Sequence, residues 1–220
     1  MVLIAGIDEA GRGCVIGPLV VAMAGVEDKM IPLLVEAGVK DSKMLSPRRR
    51  LLIASSIRKI SKVVEVRRIS ANRIDELRKK GVSLNEIEAM LIGSILAKHR
   101  YGTFYVDSVD RNCSRFRNTI LRYATGFKGE LIVKNYLDES NPLVSAASIV
   151  AKVERDRAIE RILKEVELPK CSGYPGDSKT IRVVEQLLNS GSGRGFIRMS
   201  WNTVRRISTR LNQDKLSKFL

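Results

Sequence analysis

The chain contains a single histidine, His99, one tryptophan and three cysteines, and only 5% of its 220 residues are aromatic. Cys14, Cys113 and Cys171 are an odd number without CxxC spacing. Neither a disulfide framework nor, with one histidine, a zinc site of ordinary ligand spacing can be built from them. A reducing, cytoplasmic setting is therefore expected. No stretch approaches the ~18 uninterrupted apolar residues of a membrane span. The chain also starts on a strand-like run rather than on a basic segment followed by a long apolar one. A soluble protein without a membrane partner is expected. No GxxxxGK(S/T) run is present, which excludes a P-loop nucleotide enzyme. His99 closes a helical stretch, where a dipole contact suits it better than catalysis.

Acids are the scarcer charge: 24 against 39 lysines and arginines, a formal net charge of +15 and a pI near 10.0. That excess favours a polyanionic partner, because neutralising phosphates releases counterions. Hydrophobic residues make up 44% of the chain, which suffices for a proper core, so wholesale disorder is not expected.

Buried strands are predicted over 2–8 and 18–26, with a third over 62–69. Ser46-Pro47 opens a helix running to about Ile60, with serine as cap and proline at the first helical position. Ser83-Leu84-Asn85-Glu86 has capping-box spacing and starts a helix to Lys98. Short strands follow at 103–106, ending on Asp107, and at 130–136, leading to Asp138. Pro142 precedes a long helix over about 145–165. Beyond a loop at 168–179, two helices are expected near 180–189 and 201–212. The division expected is an α/β domain over 1–167 and a basic helical appendage over 168–220. The final twenty residues carry Arg205, Arg206, Arg210, Lys215 and Lys218 against Asp214 alone.

Asp8-Glu9 ends an apolar run, Val2 to Ile7, and leads directly into Gly11-Arg12-Gly13. Two acids at the end of a buried strand repel one another and lose water, so they require a countercharge. A hard divalent cation such as Mg²⁺ prefers carboxylate oxygen. Strand ends of one sheet lie side by side, which lets Asp8, Glu9, Asp107 and Asp138 converge. Four carboxylates are a sensible ligand set for two cations about 3.5–4 Å apart, an arrangement that acidifies an attacking water and stabilises a leaving oxygen. Each acid also has a plainer reading as a solvated turn residue, and Glu139 is a rival to Asp138.

Taken together, several segments resemble the type 2 ribonucleases H in their compact archaeal-like form. They are Gly6 to Gly13, Ile16 to Val20, Lys40-Asp41-Ser42-Lys43, Ser172-Gly173-Tyr174-Pro175 and Val144 to Lys152, with Asp107 and the Trp201 region. They occur in the family's order across nearly the whole chain. The resemblance implies an RNase H-like mixed five-stranded sheet flanked by helices. It also implies that Asp8, Glu9, Asp107 and Asp138 are the metal-binding catalytic acids, with Mg²⁺ or Mn²⁺ required. The substrates implied are RNA–DNA hybrids and duplex DNA with embedded ribonucleotides, cut on the 5′ side to leave 3′-hydroxyl and 5′-phosphate ends. Gly11-Arg12-Gly13 matches the loop that contacts the ribose 2′-hydroxyl, and Tyr174 the residue that packs on the sugar at the junction. Cys14 stands where the family usually has proline, a departure expected to loosen the loop and expose an oxidisable thiol.

Ser145, Ser148 and Lys152 share one face of the long helix. Ser148 and Lys152 are candidate substrate contacts there, as is Lys43 in its loop; tight helix packing and loop charge are the plainer readings. Arg48-Arg49-Arg50 reads as a solvated face and Trp201 as core of the appendage. A monomer is expected. Two rival functions remain: a relative that cuts DNA with the same acids, and a basic nucleic-acid-binding protein without catalysis.

Overall fold

The computed structural model describes residues 3–39, 45–193 and 195–216. A five-stranded sheet has the order β3-β2-β1-β4-β5, formed by β1 (Ile4–Ala10), β2 (Leu19–Val26), β3 (Val63–Ile69), β4 (Thr103–Asp107) and β5 (Glu130–Lys134). β2 runs antiparallel to β1, while β4 and β5 extend the sheet in parallel from the other side of β1. The sheet is mixed and five-stranded, as the resemblance implied.

Every residue of β2 is buried, so both of its faces are covered. On one face Val20, Ala22, Ala24 and Val26 pack against α2 (Pro47–Ile60) and α7 (Pro142–Glu165). On the other, Val21 and Met23 join Ala5, Ile7, Phe104 and Val106 beneath α4 (Leu84–Lys98) and α5 (Cys113–Tyr123). Ser46 caps α2 by accepting from Arg49 N–H, as its sequence predicts. Glu130–Lys134 is shorter than the strand expected to Tyr136. Tyr136 takes a left-handed conformation (φ 61°) and Leu137 begins the short α6 (Leu137–Ser140), so the chain turns before Asp138.

The chain divides into two compact units. One holds the residues up to Ala10, Val20–Arg68 and Leu84–Glu154; the other holds Gly11–Leu19, Ile69–Ser83 and the residues from Arg155 onward. A cut at 168 follows the chain, whereas packing draws two N-terminal segments together with the C-terminal one. The reason lies in the second unit's own core. There Cys14, Val15 and Ile16 pack with Ile159 and Leu163 of α7, with Val183, Val184 and Leu187 of α8 (Ser178–Ser190), and with Val204 and Ile207 of α9 (Asn202–Leu216). Trp201 packs against that core, in keeping with its sequence reading. The same unit contains α3 (Ala71–Lys79), a helix the sequence pattern did not single out. No helix among the described residues is long and apolar enough to cross a membrane.

Candidate active site

β1 and β4 pair in the register Gly6↔Tyr105 and Ile7↔Val106, which makes Asp8 and Asp107 the next pair along. Alternation puts Phe104 and Val106 in the α4–α5 layer, so Asp107 leaves β4 on the opposite side, the side of α7. Gly6 shows how closely α7 approaches there: a Cβ on Gly6 would lie 2.1 Å from the carbonyl carbon of Leu143 and 2.3 Å from Val144 N. Only glycine allows that approach. Asp8 lies two residues on, and hence on the same face.

Asp8 is 7% exposed. Burial pushes its carboxyl well above the ordinary value, and the charge of Glu9 pushes it further. Glu9 N–H donates to Asp8 Oδ1 at 2.8 Å. Ser148, fully buried on α7, is close enough to lower the Asp8 pKa somewhat, although its Oγ makes no well-formed hydrogen bond. Asp107 Oδ1 accepts from Leu137 N–H at 2.7 Å, which ties the end of β4 to the residue before Asp138. Ser145 Oγ donates to the Asp138 carbonyl at 2.5 Å, fixing α6 on the first turn of α7. Asp138 is half-buried whereas Glu139 is exposed, a difference that favours Asp138 as the inward acid.

By register and hydrogen bonding, then, Asp8, Glu9, Asp107 and Asp138 all belong to one end of the sheet. As the side chains stand, no three carboxylate, histidine or cysteine groups among the described residues close around a common point. Like charges repel, and Asp107 instead takes a backbone donor. The donor set itself, hard carboxylate oxygens with one buried and poorly solvated, fits Mg²⁺ or Mn²⁺. Two other buried acids, Asp110 and Glu154, are already paired with arginines. Asp110 is gripped by Arg115 Nε and Nη2, and Glu154 by Arg58 and Arg68.

The second cluster lies wholly in the other unit. Cys14 N–H donates to Gly11 O at 3.2 Å, closing a turn with Arg12 and Gly13 at its tip. Gly11 has φ +89°, and a Cβ there would meet Pro18 O at 2.8 Å. Gly13 faces the Tyr174 ring: a Cβ on it would lie 3.7 Å from Tyr174 Cε1. The structure thus brings the Gly11–Gly13 turn and Tyr174 together. Tyr174 is 37% exposed, leaving part of the ring open to a ligand.

Cys14 corrects one expectation. Its thiol is fully buried rather than exposed, and burial raises its pKa despite Arg155 and Arg198 nearby. It is therefore an inert packing residue.

Three residues that the sequence pattern did not mark hold this cluster. Arg198, fully buried, donates to Gly17 O at 3.1 Å and to Arg12 O at 3.0 Å. Burial lowers its pKa to about 10, so it stays charged at neutral pH. Arg155 stands over the Tyr174 ring and donates to Ser172 O at 3.3 Å. Asp177 caps α8 through Lys179 N–H and accepts from Ser172 N–H at 2.8 Å; these donors hold its pKa at about 2. The buried arginines had no sequence signal, since burial of a cation becomes visible only with its partners. Of the other expected contacts, Lys152 is half-buried on α7, and Lys43 lies outside the described residues.

A sequence model described as Ribonuclease HII matches residues 5–204. Ribonuclease HII of Methanosarcina barkeri is 38% identical over 222 residues, covering 96% of this chain and 97% of that one. Among solved structures, ribonuclease H2 from Pyrococcus horikoshii OT3 superposes with a TM-score of 0.85 at 37% identity, covering 96% of this chain and 99% of that one. RNase HII in a PCNA:RNase HII complex from Archaeoglobus fulgidus gives 0.81 at 40% identity, with 91% and 95% covered. The chain belongs to the ribonuclease HII family and is a ribonuclease H enzyme.

Proposed function

We propose that the protein is an endoribonuclease that hydrolyses the RNA strand of RNA–DNA hybrids and nicks duplex DNA on the 5′ side of an embedded ribonucleotide. The products are 3′-hydroxyl and 5′-phosphate ends. The observation that carries the chemistry is the register that makes Asp8 the neighbour of Asp107 at the end of β1 and β4, with the Asp8 carboxyl buried and pushed up by both burial and Glu9. Asp8, Glu9, Asp107 and Asp138 would hold two Mg²⁺ or Mn²⁺ ions. Such ions supply charge neutralisation at the scissile phosphate and acidify the attacking water.

The chain's own residues do the rest. Ser145 holds α6 and so positions Asp138, while Leu137 N–H orients Asp107. Gly11, Arg12 and Gly13 present backbone close to the ribose, where the 2′-hydroxyl separates RNA from DNA at one position. Tyr174 offers its open ring edge to the neighbouring sugar. Ser148 and Lys152, on the α7 face toward Asp8, are assigned to the substrate backbone, as is Lys43. The basic helices from residue 168 onward bind the duplex. The Archaeoglobus fulgidus relative forms a complex with PCNA, and we extend that type of partner to this chain, which is itself a monomer acting in the cytoplasm.

Cleavage of a duplex containing one ribonucleotide, run beside an all-DNA duplex with Mg²⁺, Mn²⁺ or EDTA, tests the reading. A single nick at the ribonucleotide is expected, abolished by EDTA and by Asp8→Asn. Equal cutting of the all-DNA duplex would overturn it.

A further inference from the structure

Helix α3 and the start of α9 enclose a surface cavity of about 290 Å³ lined by Arg78, Lys79, Met199, Ser200 and Arg205. Three of its five lining residues are cations, and all three are exposed. Among the described residues none of them makes an ion pair, in contrast to Arg73, which is bonded to Glu76 one turn earlier. Three like charges around one small cavity repel one another, so an anion there is stabilised by all of them.

The cavity is built rather than accidental. Asp75 is 5% exposed and faces inward from α3, accepting from Met199 N–H at 2.6 Å, Ser200 N–H at 2.9 Å and Ser200 Oγ at 2.5 Å. Its carboxylate is thereby occupied by the wall of the cavity, and it locks residues 199–200 against α3. Arg78 and Lys79 follow Asp75 by three and four residues, which puts them on the same helical face. The Arg78 guanidinium lies 5.6 Å from the centroid of the Trp201 ring, while Arg198 lies 4.9 Å from that ring. Trp201 thus holds Arg78 in place before any ligand arrives. Arg205 comes one turn after Trp201, its N–H bonded to the Trp201 carbonyl at 3.0 Å. The opening turn of α9 adds its partial positive charge.

We infer that this cavity is a phosphate-binding site, and that its ligand is a phosphodiester of the nucleic-acid backbone. Arginine's planar fork matches phosphate oxygens, and the exposed side chain of Met199 suits the sugar beside them. The site deepens the proposed ribonuclease reading, on which it rests only for the identity of the nucleic acid. It carries no sequence selectivity and grips ribonucleotide-containing and all-DNA duplexes alike.

The test is fluorescence anisotropy of both duplexes across a salt series, in EDTA so that neither is cut. For the full chain carrying Arg78→Gln and Arg205→Gln, binding should weaken about tenfold at physiological salt. The slope of log K against log salt should flatten by about 0.9 for every phosphate that the variant no longer neutralises. Arg78→Lys with Arg205→Lys should keep most of the slope, which separates charge from misfolding, and Arg161→Gln, on the exposed side of α7, should leave it unchanged. An unchanged slope in the double glutamine variant overturns the site. Equal flattening by Arg161→Gln does so too, because it makes the effect general charge. Ribonucleotide-dependent nicking in Mg²⁺ is scored separately: its absence sinks the ribonuclease reading, while a flattened slope would leave the phosphate site standing.

Discussion

The guanidinium carbon of Arg155 lies 4.8 Å from the centre of the Tyr174 ring, with the arginine itself only 7% exposed. A desolvated cation against the ring fixes its orientation, and with it the exposed ring edge where the sugar is proposed to rest. Arg155→Met keeps much of the volume and removes the charge. A partly desolvated cation–π contact is worth about 1–2 kcal/mol. Steady-state cleavage of a single-ribonucleotide duplex should therefore lose about five- to thirtyfold in kcat/KM. A variant indistinguishable from the parent would separate Arg155 from Tyr174.

Arg198 makes a second and sharper prediction. Its guanidinium satisfies the carbonyls of Arg12 and Gly17 from a fully buried position. In Arg198→Met both acceptors lose their donor, at about 1–3 kcal/mol for each buried group left unsatisfied. Thermal unfolding should show the loss directly. Selectivity for ribonucleotide over deoxyribonucleotide duplex should fall as well, because the Gly11–Cys14 turn is what those bonds hold. A melt lowered without any change in selectivity would confine Arg198 to the core.

Asp8 gives a pH dependence whose sign follows from its environment. Its folded pKa is raised above the ordinary value of 3.8, chiefly by burial. The folded state therefore keeps this proton to higher pH than the unfolded chain does. In EDTA, the contribution of this group to stability falls as pH rises from about 4 through the raised folded value, then levels off. Asp8→Asn removes that penalty. The variant should melt higher than the parent at pH 7, with each kcal/mol recovered worth about 2–4 °C, and should have no measurable cleavage. Destabilisation at pH 7 would mean that Asp8 is already compensated.

Gly6 is set by the approach of α7. An alanine methyl would fall within 2.3 Å of the backbone of Leu143 and Val144, atoms that cannot rotate away. Gly6→Ala should cost about 1–3 kcal/mol or more in a denaturant melt. Activity should fall too, since Ser145 and Ser148 ride on the displaced helix. A neutral substitution would show that strand and helix have room to separate.

These four positions differ in how much of them the sequence disclosed. Asp8 was legible because six apolar residues run straight into two acids, a pattern with few structural uses. Asp107 was legible because its strand ends on it. The partner of each acid across the sheet was not, since register depends on chain segments a hundred residues apart. α2, α4 and α7 could be read from caps and helical spacing. The short helices α1 (Ile31–Glu36) and α6 could not, because so few turns carry little periodicity. Tyr136 turned a predicted strand end into a helix start through a left-handed backbone that tyrosine rarely adopts. Arg155 and Arg198 lay among 39 basic residues in the sequence, where nothing marked them as buried.

Anomalous diffraction from crystals grown with Mn²⁺ and a ribonucleotide-containing duplex puts the central claim to its most direct test. Two manganese peaks about 3.5–4 Å apart are expected, contacted by carboxylate oxygens of Asp8, Glu9, Asp107 and Asp138. Peaks at any other place, with Asp8 and Asp107 touching no metal, would contradict the account.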